Sequence, residues 1–124
     1  MRDCIFCNLD DSRIKFESEF FLSIDDLYPV TKGHTLIISK RHAESFFDLS
    51  QQEKHDLIIF LDFHKNQLIE NDNSISGFNI GVNDGKDAGQ TIMHFHMHLI
   101  PRRKGDSEDP TGGVRGVIPE KQKY

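Results

Sequence analysis

The segment HFHMHLI, residues 94–100, constrains this chain more than any other stretch of its sequence. Successive side chains of a β-strand point to opposite faces, so His94, His96 and His98 are predicted to line one face while the apolar residues between them line the other. Buried imidazoles each need a hydrogen-bond partner, so a core has no use for three in a row. A half-buried strand whose solvent face happens to carry histidine is the alternative, but three of the seven histidines fall within this segment.

The composition predicts one globular domain, residues 1–124. Apolar residues make up 36% of the chain and charged residues 28%, as is typical of a soluble protein. The formal net charge of −5 argues against nucleic acid or a membrane surface as a partner. A local basic patch around Arg102, Arg103 and Lys104 stays compatible with that charge.

The first residues, MRDCIFC, contain no apolar signal region, and no run reaches the length of a membrane span. A cytoplasmic location is therefore expected. The two cysteines, Cys4 and Cys7, are spaced as C-x-x-C. A disulfide framework is not expected in that compartment, which leaves redox and metal-binding roles open.

Local patterns predict one long helix. Ser50 and Glu53 form a capping-box signature, and the apolar residues that follow recur near helical spacing over residues 51 to about 70. His55 and His64 fall on this helix and are predicted to be surface or flanking residues without a function. A shorter helical piece is predicted before it, around residues 43–49.

The remaining segments predict a sheet. The predicted strands span residues 14–17, 20–24, 34–39, 77–82 and 91–100, the last of them closed by Pro101. The tail, residues 102–124, is predicted to be mostly irregular because it is rich in glycine and proline. This order predicts an α+β fold, in which an antiparallel sheet carries the long helix on one face.

The segment HFHMHLI fits the pattern His-apolar-His-apolar-His-apolar-apolar, and with it the chain resembles the histidine triad (HIT) family of nucleotide hydrolases and transferases. Three further segments are similar to bacterial members: PVTKGHTLIISKRH (residues 29–42), GFNIGVNDGKDAGQT (77–91) and DPTGGVRGVIP (109–119). One departure is Lys32, which stands in a loop where many members have proline and leaves His34 in place.

The resemblance implies a five-stranded antiparallel sheet with one long and one short helix. It also implies a symmetric homodimer that joins two sheets and brings the C-terminal segment of each chain to the partner's active site.

The resemblance assigns chemistry to the polar residues. His96 matches the family's nucleophile, and a neutral imidazole able to act as one is available near neutral pH. It would attack the α-phosphorus of a nucleotide and form a nucleotidyl-histidine intermediate, which water then hydrolyses. His98 matches the residue that donates to the phosphate, and Asn83, Gln90 and Thr91 match residues that contact the phosphates and the leaving group.

A nucleotide also needs contacts for its ribose and its base. Asp26 matches the family's acceptor for the ribose hydroxyls, although a lone Asp before a proline loop is by default a turn residue. Five positions match the apolar walls that hold the base, and from the sequence alone each of them is ordinary core. They are Ile5, Phe6, Leu9, Ile24 and Leu27.

Zinc-bearing members of the family hold their ion with residues that match Cys4, Cys7, His42 and His94 here. Four nitrogen or sulfur ligands suit tetrahedral zinc. In that case His94 is structural, and the ion ties the N-terminal segment to the strand of the triad. A metal-free C-x-x-C is the alternative, and a thioredoxin-like redox role would need a different fold context.

The leading hypothesis is an enzyme that cleaves a nucleoside monophosphate from a leaving group, with a dinucleoside polyphosphate such as diadenosine tetraphosphate as substrate. An adenosine 5'-phosphoramidate is the alternative substrate. The alternative class is a non-catalytic nucleotide-binding or zinc-stabilised interaction protein, against which the intact triad counts. The acidic balance disfavours a nucleic-acid repair module.

Overall fold

The computed structural model describes residues 2–124, and in it one antiparallel sheet organises the chain. Its strands are β1 (Ile14–Glu17), β2 (Phe21–Asp25), β3 (Thr35–Ser39), β4 (Ile75–Gly81) and β5 (His96–Arg103). They lie side by side in the order β1-β2-β3-β5-β4. The long helix, α1, spans Gln51–Asn71, and the predicted short helix before it is one of the 3₁₀ turns of the described chain, Phe46–Asp48. The predicted α+β fold is confirmed.

The helix begins at the capping box that the sequence predicts. The Ser50 hydroxyl accepts from the Glu53 amide at 3.0 Å, and the Glu53 carboxylate accepts from the Ser50 amide at 2.8 Å. Glu53 is buried and also binds the Arg41 guanidinium, with nitrogen–oxygen distances of 2.9 and 3.2 Å. The start of the helix therefore also fixes the segment that follows β3, where His42 lies.

The two faces of the sheet carry separate apolar clusters. On one face, α1 contributes Leu57 and Phe60 to a cluster with Phe21, Ile37 and Phe95. The opposite face carries a second cluster, in which a residue of the N-terminal segment packs on the strands. It consists of Phe6, Ile24, Leu36 and Ile38. The second face is also the face of the histidines, because Leu36 is paired with His98 and Ile38 with His96.

The bounds of β5 differ from the prediction of residues 91–100. The strand begins only at His96, because the Phe95 amide donates to the Ala43 carbonyl at 2.6 Å and the chain before it is bent. It continues through Pro101 to Arg103. Proline is tolerated there because the last β3 partner is Thr35, opposite Leu99, so the missing N–H removes no bond of that ladder.

The prediction that His64 is a surface or flanking residue is wrong, whereas His55 is exposed as predicted. His64 is 3% exposed, with Nδ1 2.8 Å from the Phe60 carbonyl and Nε2 2.7 Å from the Ser23 hydroxyl. It follows Phe60 by one helical turn, so it shares the buried face of α1. Because a carbonyl only accepts, Nδ1 carries the ring proton and Nε2 accepts from Ser23.

Replacing His64 with leucine is expected to lower the free energy of unfolding by about 1–3 kcal/mol, because the buried Ser23 hydroxyl loses its partner. Burial lowers the pKa of His64 below its ordinary value of 6.5. The unfolded chain therefore binds more protons below about pH 6.5, and stability falls as the pH drops from there. Urea titrations between pH 5 and 7 measure this effect. The free energy of unfolding of His64→Leu should change less with pH over that range than that of the wild type.

The matched control is the double variant Ser23→Ala/His64→Leu, in which neither polar group remains. It should regain part of the stability that His64→Leu loses. A double variant no more stable than His64→Leu would contradict this account of the pair.

The two arginines at the end of β5 are neutralised by local carboxylates. Arg102 pairs with Asp106 at 2.7 Å, and Arg103 pairs with Asp72 at 2.8 Å. These two arginines therefore do not present free positive charge. Across residues 2–124, no helix combines the length and apolar character needed to cross a membrane.

Candidate active site

His96 and His98 lie on the face of the sheet opposite α1. Their ring centroids are 5.5 Å apart. Phe6, from the N-terminal segment, packs edge-on against His96 at 5.1 Å and against His94 at 6.0 Å between ring centroids. The predicted separation of faces holds, because Phe95 is buried in the cluster below α1.

The main chain fixes the proton position of His96. Its Nδ1 is 2.9 Å from the carbonyl oxygen of His94. A carbonyl only accepts, so the neutral ring carries its proton on Nδ1 and keeps a lone pair on Nε2. His96 is 9% exposed, so this nitrogen belongs to a largely dehydrated ring. The arrangement is that of an imidazole prepared to act as a nucleophile.

His94 has the opposite tautomer. Its Nε2 is 2.6 Å from the Ser39 carbonyl, so Nε2 carries the proton and Nδ1 keeps the lone pair. That nitrogen is 3.1 Å from Nδ1 of His42, and 3.3 and 3.5 Å from the sulfurs of Cys4 and Cys7. Burial lowers the pKa of His94, which favours the neutral ring that a metal ion requires.

The four predicted metal ligands therefore form one cluster, with their donor atoms within 4.8 Å of one another. Ligands on a tetrahedral zinc ion lie about 3.3 Å apart for two nitrogens and about 3.6 Å apart for nitrogen and sulfur. The observed separations are close to these values, so the donor set fits a metal ion. The N-terminal turn that supplies Cys4 and Cys7 is held by Asn8, whose side-chain amide donates to the Cys4 carbonyl at 2.8 Å.

A second group of polar side chains surrounds His98. Its Nδ1 is 2.9 Å from Nε2 of His34, which in turn is 3.4 Å from a carboxylate oxygen of Asp26. The sequence assigned His34 no role. The only signal was a histidine at the head of an apolar strand, and its meaning depends on β3 pairing with β5, which local patterns do not reveal.

This environment keeps His98 neutral. Burial, followed by the neighbouring rings of His96 and His34, lowers the pKa of His98 to about 4, against the opposing effect of Asp26. Burial also lowers the pKa of His34. At neutral pH both rings are therefore uncharged, and each presents one N–H donor and one lone pair.

Gln90 is positioned differently from its predicted contact with phosphate. It is 6% exposed, and its carbonyl oxygen accepts from the Gly85 amide at 2.8 Å. Its amide nitrogen donates to the carbonyls of Glu44 and Ile92 at 2.9 and 3.1 Å. The side chain is thus committed to the backbone of the loop before β5, where it acts as a positioning residue.

The structure separates the other two predicted phosphate contacts. Asn83 is exposed and lines a groove together with His98. Thr91 is also exposed but lies beside Cys4 and His42, around a smaller cavity. Of these three predicted contacts, Asn83 is therefore the one that shares the groove with His98.

That groove has a volume of about 840 Å³ and runs along β4 towards the C-terminal segment. Its walls include His34, His98, Ile80 and Val117. The predicted base and ribose positions lie on the other side of the triad, towards β2 and the N-terminal segment. Phe6 and Ile24 are buried there, Leu9 and Asp26 are half-buried, and Ile5 and Leu27 are exposed.

Fold and site together define a class of α+β protein in which the open face of an antiparallel sheet presents a row of histidines. The family model for the HIT domain matches residues 9–105. An uncharacterized HIT-like protein of Methanocaldococcus jannaschii is 35% identical over 109 residues, covering 85% of this chain and 83% of that protein. The chain belongs to the HIT family.

One further relative is described by its activity, and one solved structure by the metal it binds. A bis(5'-nucleosyl)-tetraphosphatase (asymmetrical) of Schizosaccharomyces pombe is 40% identical over 96 residues, which cover 77% of this chain and about half, 52%, of that enzyme. The crystal structure of a zinc-bound histidine triad family protein from Mycobacterium smegmatis superposes with a TM-score of 0.78 at 34% identity. The superposition covers 87% of this chain and 81% of the chain from Mycobacterium smegmatis.

Proposed function

We propose that this protein is a hydrolase that cleaves dinucleoside polyphosphates, such as diadenosine tetraphosphate, at the α-phosphate through a nucleotidyl intermediate on His96. The observation that carries the proposal is the bond from Nδ1 of His96 to the His94 carbonyl, which leaves the lone pair on Nε2. The relative that hydrolyses bis(5'-nucleosyl) tetraphosphates supports the same class of substrate.

The proposed reaction has two steps. The lone pair on Nε2 of His96 attacks the α-phosphorus, a P–N bond forms, and the P–O bond to the leaving group breaks with its electron pair on the departing oxygen. The ring then carries a positive charge, which the His94 carbonyl stabilises through the Nδ1 proton. Water next attacks the phosphorus and releases one proton to the solvent, the P–N electron pair returns to Nε2, and a nucleoside monophosphate leaves. His98 and Asn83 line the groove and supply donors for the phosphoryl oxygens.

The groove favours a large leaving group. One nucleoside occupies the β2 side in this proposal, where the predicted base and ribose positions lie. The second nucleoside then needs room on the β4 side, and about 840 Å³ is sufficient for a ligand of that size. An adenosine 5'-phosphoramidate, whose leaving group is only an amine, would leave this groove empty.

Side-by-side turnover of diadenosine tetraphosphate and adenosine 5'-phosphoramidate tests the proposal. We expect kcat/KM to be at least about tenfold higher for the dinucleotide, because only its leaving group gains contacts in the groove. Release of nucleoside monophosphate is the readout. The reverse order would assign the protein to the phosphoramidate, and binding without turnover of either would assign it to the non-catalytic class.

We also propose that the metal is zinc, held by Cys4, Cys7, His42 and His94. Two thiolates and two imidazoles are a set that zinc prefers, and the relative from Mycobacterium smegmatis is zinc-bound. With four protein ligands the ion has no open position, so it supplies a structural cross-link rather than chemistry. It would join the N-terminal segment to the residue whose carbonyl orients His96.

The homodimer stays a prediction, and the molar mass in solution is its test. Two features support it. β4 lies at the edge of the sheet, where one side of its backbone is free to pair. Ile58 and Ile59 on α1 are 61% and 56% exposed.

A further inference from the structure

Asn83 lies just beyond the end of β4, where no strand partner holds the backbone. β4 ends at Gly81, which is paired with His98 on β5. Val82 then packs against the cluster below α1, whereas Asn83 lines the groove beside His98 on the other face. Within residues 2–124, no protein group forms a hydrogen bond with the Asn83 side chain. Its direction therefore depends on how the backbone around it is held.

Asp84, the next residue, is tied to a distant segment of the chain. Its Oδ2 accepts from the Phe46 amide at 2.8 Å and from the Ser45 hydroxyl at 3.1 Å. The Ser45 hydroxyl in turn accepts from the Phe47 amide at 3.0 Å. The carboxylate thus joins the residue after Asn83 to the 3₁₀ turn before α1, 38 residues earlier in the chain.

The backbone reverses directly after Asp84 and closes on itself. Gly85 has a φ of +93°, in the left-handed region that favours glycine. Its carbonyl accepts from the amides of Ala88 and Gln90 at 3.1 Å each, and its own amide donates to the Gln90 side chain at 2.8 Å. Within residues 82–84 of the described chain, only the Asp84 side chain forms a hydrogen bond with a segment outside this loop.

The segment that Asp84 binds also holds the backbone next to the proposed nucleophile. The Ala43 carbonyl accepts from the Phe95 amide at 2.6 Å, and the Ala43 side chain is buried. His96 follows Phe95 directly in the chain. Residues 43–46 therefore contact both the residue before His96 and the residue after Asn83, so they set the position of one relative to the other.

We propose that Asp84 is a positioning residue, which holds the Asn83 side chain towards the phosphoryl group that His96 attacks. The role rests on the hydrolase proposed above, in which Asn83 supplies a donor to the phosphoryl oxygens. Without the carboxylate, residues 82–84 would be held only at their two ends, and the Asn83 side chain would sample other directions. A fraction of the molecules would then lack one donor in the transition state, which lowers kcat.

A purely structural role for Asp84 is the alternative, because its carboxylate also satisfies the Phe46 amide. That role predicts a lower free energy of unfolding in Asp84→Ala, with an unchanged kcat wherever the variant is folded. Positioning predicts a lower kcat in the folded variant, with KM nearly unchanged because a single donor acts mainly in the transition state. The two roles therefore differ in kcat at a temperature where each protein is folded.

The kinetic test compares the full-length wild type with Asp84→Ala, Asp84→Asn and Ser45→Ala in turnover of diadenosine tetraphosphate. In Asp84→Ala we expect kcat to fall about 10- to 100-fold, with KM changed less than about threefold. Asp84→Asn keeps an oxygen that accepts from both partners, so its kcat should return to within about threefold of the wild type. Ser45→Ala removes one of the two bonds, and its kcat should lie between those of Asp84→Ala and the wild type.

Nuclear magnetic resonance provides a readout that needs no turnover. The order parameter of the Asn83 backbone amide should be about 0.85 in the wild type and below about 0.6 in Asp84→Ala. Asp84→Asn should restore the wild-type value. The matched control is Asp87→Ala, which removes an exposed carboxylate of the same loop that has no hydrogen bond or ion pair within residues 2–124, and it should change neither kcat nor the order parameter.

An unchanged order parameter of Asn83 in Asp84→Ala would overturn the proposal. An unchanged kcat in the folded variant, accompanied by a loss of stability, would overturn it in favour of the structural role. If the wild type turns over no nucleotide, the proposed hydrolase is wrong. The order parameters would then still decide whether Asp84 holds Asn83, so the two failures are distinguishable.

Discussion

Replacing His96 with alanine is expected to abolish turnover of diadenosine tetraphosphate while nucleotide binding is retained. The ring supplies the attacking lone pair, and no neighbouring group in the cluster has one in the same place. Loss of a covalent nucleophile lowers kcat by on the order of 10⁴-fold or more. Binding of a nucleoside monophosphate, measured by titration calorimetry, should change less than about tenfold because the ring contributes mainly in the transition state.

Trapping distinguishes the covalent route from direct attack by water. Substrate labelled in the α-phosphate should leave label on the quenched wild-type protein and none on His96→Ala. The matched control is His55→Ala, which removes an exposed histidine of α1 and should alter neither activity nor labelling. A His96→Ala variant with full activity would show that the proposed mechanism is wrong.

Zinc removal is expected to have the largest effect on stability. Protein purified without chelator should contain about one zinc per chain, and Cys7→Ser should lose it, since three ligands bind zinc less tightly than four. If free zinc exceeds the dissociation constant about 1,000-fold, its loss lowers the free energy of unfolding by about 4 kcal/mol. Metal analysis and urea titration with and without chelator measure both quantities.

The chelator provides the internal control. It should destabilise the wild type and leave Cys7→Ser, already without metal, unchanged. Less than about half an equivalent of zinc in the wild type, together with no effect of chelator, would favour the metal-free interpretation of the C-x-x-C pair.

Local patterns in the sequence predict most of the helix and strand positions, because capping, helical spacing and strand alternation depend on residues that are close in the sequence. The capping box at Ser50 and the helical spacing after it place the start of α1 correctly. The alternation in HFHMHLI likewise predicts that Phe95 and His96 lie on opposite sides. These features depend only on the backbone geometry of a single element, which nearby residues determine.

The sequence missed features that depend on which elements meet. His34 acquires its contacts only because β3 pairs with β5, and these strands are more than fifty residues apart in the chain. His64 is buried because α1 packs over β2, where Ser23 offers a hydroxyl. Local patterns also do not predict that Gln90 holds the loop before β5, since one of its hydrogen-bond partners, the Glu44 carbonyl, is distant in the sequence.

Backbone hydrogen bonds determine which ring nitrogen carries the proton in the histidines of the candidate site. The Ser39 carbonyl, the His94 carbonyl and the Val30 amide form these bonds, the last of them with His34, and every residue type but proline carries both groups. The exposed side chain at position 30 can therefore vary, with proline excluded, without changing the ring tautomers. Position 39 is restricted for a different reason, because the Ser39 side chain is buried and its hydroxyl donates to the Arg41 carbonyl at 2.8 Å. Transfer of the site to another scaffold would therefore have to reproduce the orientations of these peptide groups. Without them, these imidazole rings would have no fixed tautomers.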